Sequence, residues 1–338
     1  MTPLCHTQLM KAYSCRNCGN ALFFENSVCV GCGCSLGYSR SEQDIVPLDG
    51  NGVYVDAAGV SWHVCRNLDL SGCTWLTRTA GDQCEACDFT RTRPNDEDAV
   101  GLGNFLTSER AKRHLLAELD VLGFALVNRA DDPVDGLCFD LLSSVDEDVV
   151  TGHANGVITI DLGEADDVHR ECVKSQLNEV YRTMLGHFRH EVGHYIEWQF
   201  VENGPSEVLT RARELFGDDR VDYQETIDRH YSEGPPENWE ESYISAYATM
   251  HPYEDFAETW AHYLHISDTV ETVVRYGLMS PLAVEGRSFR ELVTSVWVPL
   301  STALNMVNRS MGSDDLYPFV IPSPVLDKLE FVASLRPA

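Results

Sequence analysis

The segment "HFRHEVGHYIEW", residues 187–198, contains the pattern His-Glu-x-x-His. His190 and His194 are four residues apart, so on a helix both imidazoles project from one face and can reach one metal ion. Glu191 lies one step round the helix, where it can accept a proton from a water molecule at that metal. A zinc ion held in this way lowers the pKa of water toward neutrality and polarises a carbonyl group. The pattern therefore predicts a hydrolytic zinc site that needs a third ligand from elsewhere.

The third ligand is expected on a second, acidic helix within "SAYATMHPYEDFAETWAHYLH", residues 245–265. Pro252 suits the first turn of a helix, which would hold Glu254 on a fixed backbone. We predict that Glu254 is the third zinc ligand. Glu258, one turn further on, would then hold a ligand histidine by its other ring nitrogen. The spacing leaves other ligands open, namely Glu258 itself, Asp255 or a histidine of this segment, and also a plain solvated acidic face.

His187 lies three residues before the motif and shares its helix face. One straight helix cannot wrap three imidazoles round one tetrahedral ion, so we expect His187 to line the cleft or to bond an outer carboxylate. A packed histidine is the alternative. "FGDDRVDY", residues 216–223, adds Arg220, which either pairs with Asp219 or Asp222 or faces the cleft and binds a substrate carboxylate.

Eight of the twelve cysteines form two groups in the N-terminal third of the chain. Each CxxC lets two thiolates reach one centre, and four thiolates close a tetrahedral structural zinc site. The first group, two CxxC pairs separated by ten residues, is typical of a zinc ribbon and contains Cys15, Cys18, Cys29 and Cys32. The second group, in which one pair is widened, contains Cys65, Cys73, Cys84 and Cys87. Cys34 and His63 are spare candidate ligands beside them.

These patterns divide the chain into three regions. We predict a zinc ribbon at 1–42, a second cysteine-rich zinc-binding subdomain with a linker at 43–100, and a zincin-like metallopeptidase domain at 101–338. The polar segment 90–104, which bears Gly and Pro, is the expected linker. The expected class is α+β, with a mostly helical catalytic domain that contains a small β-sheet.

Several elements must position the predicted site. The dipeptide Asn155-Gly156 lies between two β-prone runs and predicts a hairpin. We expect the second run, "VITIDL", to be an edge strand that could hold an extended substrate. Thr107 or Ser108 is the expected cap of a helix with an apolar stripe. The other predicted helices span about 166–199, 205–216, 219–232, 237–249, 252–266, 287–311 and 324–335.

Composition bounds the classes of function. The formal net charge is −28, which argues against nucleic-acid binding because that binding depends on Lys and Arg at phosphates. The sequence has no apolar run of about 18 residues, so no membrane span is expected. Its first residues lack the pattern of a secretory signal, so the expected compartment is the cytoplasm.

The two segments together resemble known zinc peptidases. HEVGH followed some sixty residues later by Glu-x-x-x-Glu resembles the gluzincin metallopeptidases, and "EDFAETW" is similar to "EFFAEAF" of lethal-factor-type toxins. In that group a tyrosine seven residues before the glutamate ligand supports the oxyanion, which implies this role for Tyr247. Nearly the whole chain, including "TGHANGVITI", "YRTMLGHFRHEVGHY" and "FGDDRVDY", resembles a bacterial family of zinc-binding metallopeptidases with an N-terminal zinc ribbon.

The resulting hypothesis is a cytoplasmic zinc metallopeptidase with one catalytic and two structural Zn²⁺ ions. Its substrate would be a peptide or protein, and the zinc ribbon could contact a protein partner. One alternative is a zinc amidase or isopeptidase that acts on a non-standard amide bond, because the same chemistry serves any amide. The other is a catalytically silent zinc-ribbon adaptor, against which the intact Glu191 argues.

Overall fold

The computed structural model describes residues 12–145, 148–177 and 181–337. The chain divides into two compact units. The first contains the described residues within 8–178 and 182–188, and the second contains Tyr181 and the described residues from 189 onward. No helix in the described ranges combines the length and apolar character needed to cross a membrane.

The cysteine-rich part of the first unit consists of short strands and single helical turns. Its strands form an antiparallel pair β1–β2, a second pair β3–β4 and a three-stranded sheet β5–β6–β7. Their bounds are β1 (Tyr13–Ser14), β2 (Ala21–Leu22), β3 (Leu36–Ser39), β4 (Asp44–Pro47), β5 (Val53–Val55), β6 (Ser61–Val64) and β7 (Leu76–Thr77). The helices are α1 (Leu68–Ser71) and α2 (Glu85–Asp88).

A four-stranded sheet of order β10-β11-β9-β8 completes the first unit. Its strands are β8 (Thr90–Thr92), β9 (Cys138–Leu142), β10 (Gly152–Ala154) and β11 (Val157–Asp161), and its helices are α3 (Ala99–Leu122) and α4 (Asp167–Leu177). The predicted hairpin is confirmed, since β10 and β11 pair antiparallel across Asn155 and Gly156, both at positive φ.

Two expectations for this region are wrong. The "VITIDL" strand β11 is not an edge strand, because it pairs with β10 on one side and β9 on the other. The segment expected to be a linker contains β8, which pairs with β9, and the start of α3. Helix α3 begins at Ala99 rather than near Thr107, because the side chain of Asp98 accepts a hydrogen bond from the amide of Gly101 and caps it.

Helices build the second unit. Helix α5 (Met184–Glu197), within which the two units divide, continues into a π-helical turn at Trp198–Glu202. The following helices are α6 (Ser206–Phe216), α7 (Tyr223–Glu233), α8 (Pro252–Arg275), α9 (Phe289–Leu292), α10 (Val298–Ser310) and α11 (Ser323–Ser334). Helix α8 is central, since α6 and α11 both pack against it and its Phe256, Trp260 and Leu264 are fully buried.

The helix predictions hold for most of this unit and fail in two places. The single helix expected over 166–199 is interrupted, and α5 starts anew after Thr183, whose side chain accepts a hydrogen bond from the amide of Gly186. The segment 237–249 forms only two short 3-10 turns, at Trp239–Glu241 and Tyr247–Thr249. The α+β class, with a cysteine-rich N-terminal region before a mostly helical one, is confirmed.

Candidate functional site

Helix α5 carries the two histidines of the motif. His190 and His194 lie one turn apart, and their ring centroids are 4.9 Å from each other. The N-terminal capping by Thr183 fixes where the helix begins. The spacing of four residues then places both imidazoles on one face, as the sequence predicts.

Helix α8 presents Glu254 from its first turn. The helix begins at Pro252, and His251 caps it by accepting a hydrogen bond from the amide of Tyr253 through Nδ1, at 3.1 Å. This start confirms the expected role of Pro252. Glu254 is only 2% exposed, so its carboxylate needs polar partners inside the protein.

Gly193 lets helices α5 and α8 approach closely. A Cβ atom at this position would lie 3.0 Å from Cα of Ala257 and 3.0 Å from Cδ1 of Trp260. Such contacts are tighter than ordinary van der Waals packing, so a larger residue would push the helices apart. The small residue between Glu191 and His194 therefore sets the distance between the two predicted ligand segments.

The close approach brings three predicted ligands together. Oε2 of Glu254 lies 3.0 Å from Nε2 of His190 and 3.5 Å from Nε2 of His194. One donor atom from each of the three side chains lies within 4.8 Å of the others. Two imidazoles with one carboxylate form a donor set of the kind that catalytic zinc sites use, with a position left for water or substrate.

The other candidates for the third ligand lie elsewhere. Asp255 points to Lys328, with 2.6 Å between its Oδ2 and the ammonium group. His262 bonds the hydroxyl of Tyr317 through Nδ1, and His265 contacts Arg189.

Glu258 holds the far side of the His190 ring. Nδ1 of His190 donates to Oε1 of Glu258 at 2.8 Å, while the hydroxyl of Ser245 donates to Oε2 at 2.6 Å. This arrangement leaves Nε2 of His190 directed at Glu254. A carboxylate behind a metal-binding histidine fixes its orientation and makes the ring more basic.

The charges of the cluster shift the pKa values of its members. Burial alone would lower the pKa of His190, but its hydrogen bonds to Glu254 and Glu258 raise that pKa well above the usual value. Burial alone would raise the pKa of Glu254, but the charge of His194 and the bond to His190 hold it well below its usual range. The carboxylate is therefore ionised at neutral pH, as a metal ligand must be.

Glu191 and Tyr247 lie near this cluster. Glu191 is 6% exposed, and its charge contributes to the raised pKa of Tyr247, for which burial is the main cause. The ring of Tyr247 lies 5.8 Å from that of His190, between centroids. The hydroxyl of Tyr247 thus stays protonated at neutral pH and can act as a hydrogen-bond donor.

Sequence reasoning missed Tyr223 as a neighbour of the cluster. Tyr223 opens α7 after the cap Asp222, and its hydroxyl donates to Oε1 of Glu254 at 2.6 Å. The sequence contains it within "FGDDRVDY", but nothing local indicates a partner 31 residues away.

His187 and Arg220 contact carboxylates. Nε2 of His187 lies 3.2 Å from Oε2 of Glu164, which also pairs with Arg182. Arg220 bonds Asp218 through Nε at 2.7 Å, so the expected pairing with Asp219 or Asp222 is wrong. The remaining acidic residues of that segment are engaged too, since Asp219 pairs with Arg213 and Asp222 caps α7.

The two predicted cysteine groups are also assembled. In each group the four sulfur atoms lie within 4.8 Å of one another. The groups are Cys15, Cys18, Cys29 and Cys32, and Cys65, Cys73, Cys84 and Cys87. Four thiols at one centre fit a structural zinc ion.

Thiol environments differ within the first group. Burial acts to raise the pKa of Cys15, but hydrogen bonds from the backbone of Asn17 and Cys18 bring it to about 6. Cys34, the spare candidate, lies beside this group, with its sulfur 3.7 Å from that of Cys15 and 3.5 Å from that of Cys32.

Comparison with known proteins agrees with this arrangement. Residues 12–98, which include both cysteine groups, match a zinc-ribbon domain. Residues 102–335 match the family described as "Putative zinc-binding metallo-peptidase". An uncharacterized protein of Mycobacterium bovis and two of Mycobacterium tuberculosis are each 48% identical over 330 residues, 96% of this chain and 94% of the relative. No solved structure is significantly similar to the chain.

The family match covers more than half of the chain and contains both helices that carry the His–His–Glu cluster. The zinc-ribbon match supports zinc binding by the cysteine groups. The chain therefore belongs to the "Putative zinc-binding metallo-peptidase" family, with a zinc-ribbon domain preceding its peptidase-like region.

Proposed function

We propose that this protein is a zinc-dependent metallopeptidase in which His190, His194 and Glu254 hold the catalytic zinc ion. The observation that carries the proposal is the convergence of two imidazole nitrogens and one carboxylate oxygen from different helices, with Glu191 next to His190 in the chain. When bound, zinc would make water acidic enough to ionise near neutral pH and would polarise the scissile carbonyl.

Glu191 supplies the general base of the proposed reaction. Its carboxylate takes a proton from the attacking water and delivers it to the leaving amine nitrogen as the carbon–nitrogen bond breaks. Its burial keeps bulk water away from the carboxylate.

Tyr247 is the proposed donor to the oxygen that gains negative charge. Its ring lies beside His190, and a hydroxyl aimed at the developing charge stabilises the transition state more than the bound substrate. Glu258 and Ser245 keep the His190 ring in place.

The two cysteine groups are proposed structural zinc sites, so the complete protein would carry three zinc ions. The segment they stabilise consists of two- to four-residue strands and short helical turns, and elements this short are at best marginally stable alone. Metal binding would therefore supply much of its folding free energy. We propose a cytoplasmic location, where thiols stay reduced and able to bind metal.

The proposal is tested with Glu191→Gln, which keeps the shape of the side chain but removes the base. We expect the variant to retain three zinc ions per chain by elemental analysis and to lose cleavage of a quenched peptide library by at least about 100-fold. Glu233→Gln, at the exposed end of α7, is the matched control and should keep full activity.

Other results would favour the alternatives. Full cleavage by Glu191→Gln would refute the mechanism. Two zinc ions in the wild-type protein, both removed by cysteine substitutions, would favour a silent zinc-ribbon adaptor. Cleavage of isopeptide or other non-standard amides, with none of ordinary peptides, would favour an amidase.

A further inference from the structure

Each oxygen of the Glu254 carboxylate has a different partner. Oε2 faces the two imidazoles, at 3.0 Å from His190 and 3.5 Å from His194. Oε1 accepts a hydrogen bond of 2.6 Å from the hydroxyl of Tyr223. Because Glu254 is almost fully buried, an Oε1 atom without this donor would lose its solvation without compensation.

Tyr223 is itself held in place by the start of α8. Its ring packs edge-on against the ring of His251, with centroids 5.1 Å apart. His251 accepts from the amide of Tyr253 through Nδ1 and donates through Nε2 to the carbonyl of Val221, at 3.3 Å. Val221 lies two residues before Tyr223. The contacts of His251 therefore hold the Tyr223 ring, the loop before it and the start of α8 together.

We infer that Tyr223 is a positioning residue that fixes the Glu254 carboxylate so that one oxygen, Oε2, is presented to the metal. The inference rests on the proposed function, because it assumes a metal ion at the His–His–Glu cluster. Without the phenol, the carboxylate could rotate and offer both oxygens. Partners of this kind typically change metal affinity by about 10- to 100-fold.

The position of Tyr223 suits a test by substitution. Its side chain is 41% exposed and it is the first residue of α7, so removal of the hydroxyl leaves the core packing intact. Tyr231→Phe is the matched control, since Tyr231 lies on the same helix, is 63% exposed and contacts His230 instead.

The experiment uses the full-length protein, first loaded with two equivalents of Zn²⁺ for the cysteine groups and then titrated with Co²⁺. We expect Tyr223→Phe to weaken binding of the third metal by about 10- to 100-fold and to change the visible spectrum of bound cobalt. Tyr231→Phe should match the wild type in both its affinity for the third metal and its cobalt spectrum. A purely structural role for Tyr223 would lower the thermal midpoint without changing the cobalt spectrum.

A second variant tests the His251 ring separately from the hydroxyl of Tyr223. His251→Asn keeps a residue that can cap α8 but removes the ring behind Tyr223. We expect a smaller loss of affinity than in Tyr223→Phe, with a spectral change in the same direction.

The outcomes distinguish the inference from the proposed function. If the wild type binds a third metal that His190→Ala abolishes, while Tyr223→Phe binds it within twofold and with the same spectrum, the inference is overturned and the proposed function stands. If the wild type binds no third metal, the proposed function fails and the inference fails with it.

Discussion

Gly193 of α5 packs closely against Ala257 of α8, since a Cβ atom on Gly193 would lie 3.0 Å from Cα of Ala257. This contact sets how far the two imidazoles of α5 stand from Glu254 of α8. It therefore links backbone packing directly to the geometry of the candidate metal site.

Gly193→Ala should destabilise the protein and weaken the third metal site. Overpacking of a tight contact costs about 1–3 kcal/mol, which outweighs the gain of up to about 1 kcal/mol from replacing a helical glycine. Chemical denaturation and metal titration measure both effects. Gly103→Ala, at an exposed position of α3 with open space, is the control and should stabilise the protein slightly. Equal stability changes in the two variants would contradict the packing argument.

Glu258→Gln should weaken the third metal site without changing the cysteine sites. The substitution removes the negative charge that receives Nδ1–H of His190, so the ring becomes less basic and less firmly oriented. We expect about 10- to 100-fold weaker zinc binding in competition with a chelator, and two zinc ions retained per chain. Glu285→Gln, at an exposed position, should behave as wild type. An unchanged zinc affinity in Glu258→Gln would refute the role of Glu258 in orienting His190.

Cys34 and Cys15 should differ in their effect on zinc content, although their sulfur atoms are 3.7 Å apart. Cys15 belongs to the four-sulfur group, so Cys15→Ser should lose one zinc ion per chain and destabilise the N-terminal region. Cys34→Ser should keep three zinc ions per chain. Elemental analysis and limited proteolysis report both quantities. Loss of zinc in Cys34→Ser alone would mean that Cys34 replaces one of the expected ligands.

His262 should make the folded state less stable as the pH falls. Burial lowers its pKa from 6.5 to about 4, although the charge of Glu258 opposes the shift. Since the unfolded chain takes up the proton first, stability is fully present above pH 6.5 and is lost as the pH falls toward 4, by about 3 kcal/mol.

The check compares His262→Gln with the wild type by denaturant unfolding between pH 7 and 4.5. The variant should show a shallower dependence, because the buried titrating group is gone while all other groups still titrate in both proteins. His169→Gln, at an exposed position, is the control. Parallel pH curves for His262→Gln and the wild type would rule out this contribution.

Local sequence determined the elements of the site. The four-residue spacing of His190 and His194 places both rings on one helix face wherever that helix packs, because the periodicity belongs to the backbone. Pro252 marks the start of α8 for a similarly local reason. Asn155-Gly156 forms its hairpin because both residues accept a positive φ.

Local reasoning failed where a distant partner or a cap decided the outcome. Nothing within the segment 90–104 indicates β8, because this strand forms only by pairing with β9, about fifty residues later in the chain. The expected helix over 166–199 looked continuous because periodicity alone does not reveal that Thr183 caps a new start.

Only the tertiary structure decided which acidic side chain meets the two imidazoles. Glu254, Asp255 and Glu258 share one helix, so their sequence spacing favoured Glu254 but left Glu258 and Asp255 open as ligands. The contact at Gly193 aligns α8 so that Glu254 faces both rings and Glu258 turns to Nδ1 of His190, while Asp255 pairs with Lys328. Tyr223 joins them from another helix. Helical periodicity is a property of a few neighbouring residues, whereas the facing of two helices depends on contacts across the whole core.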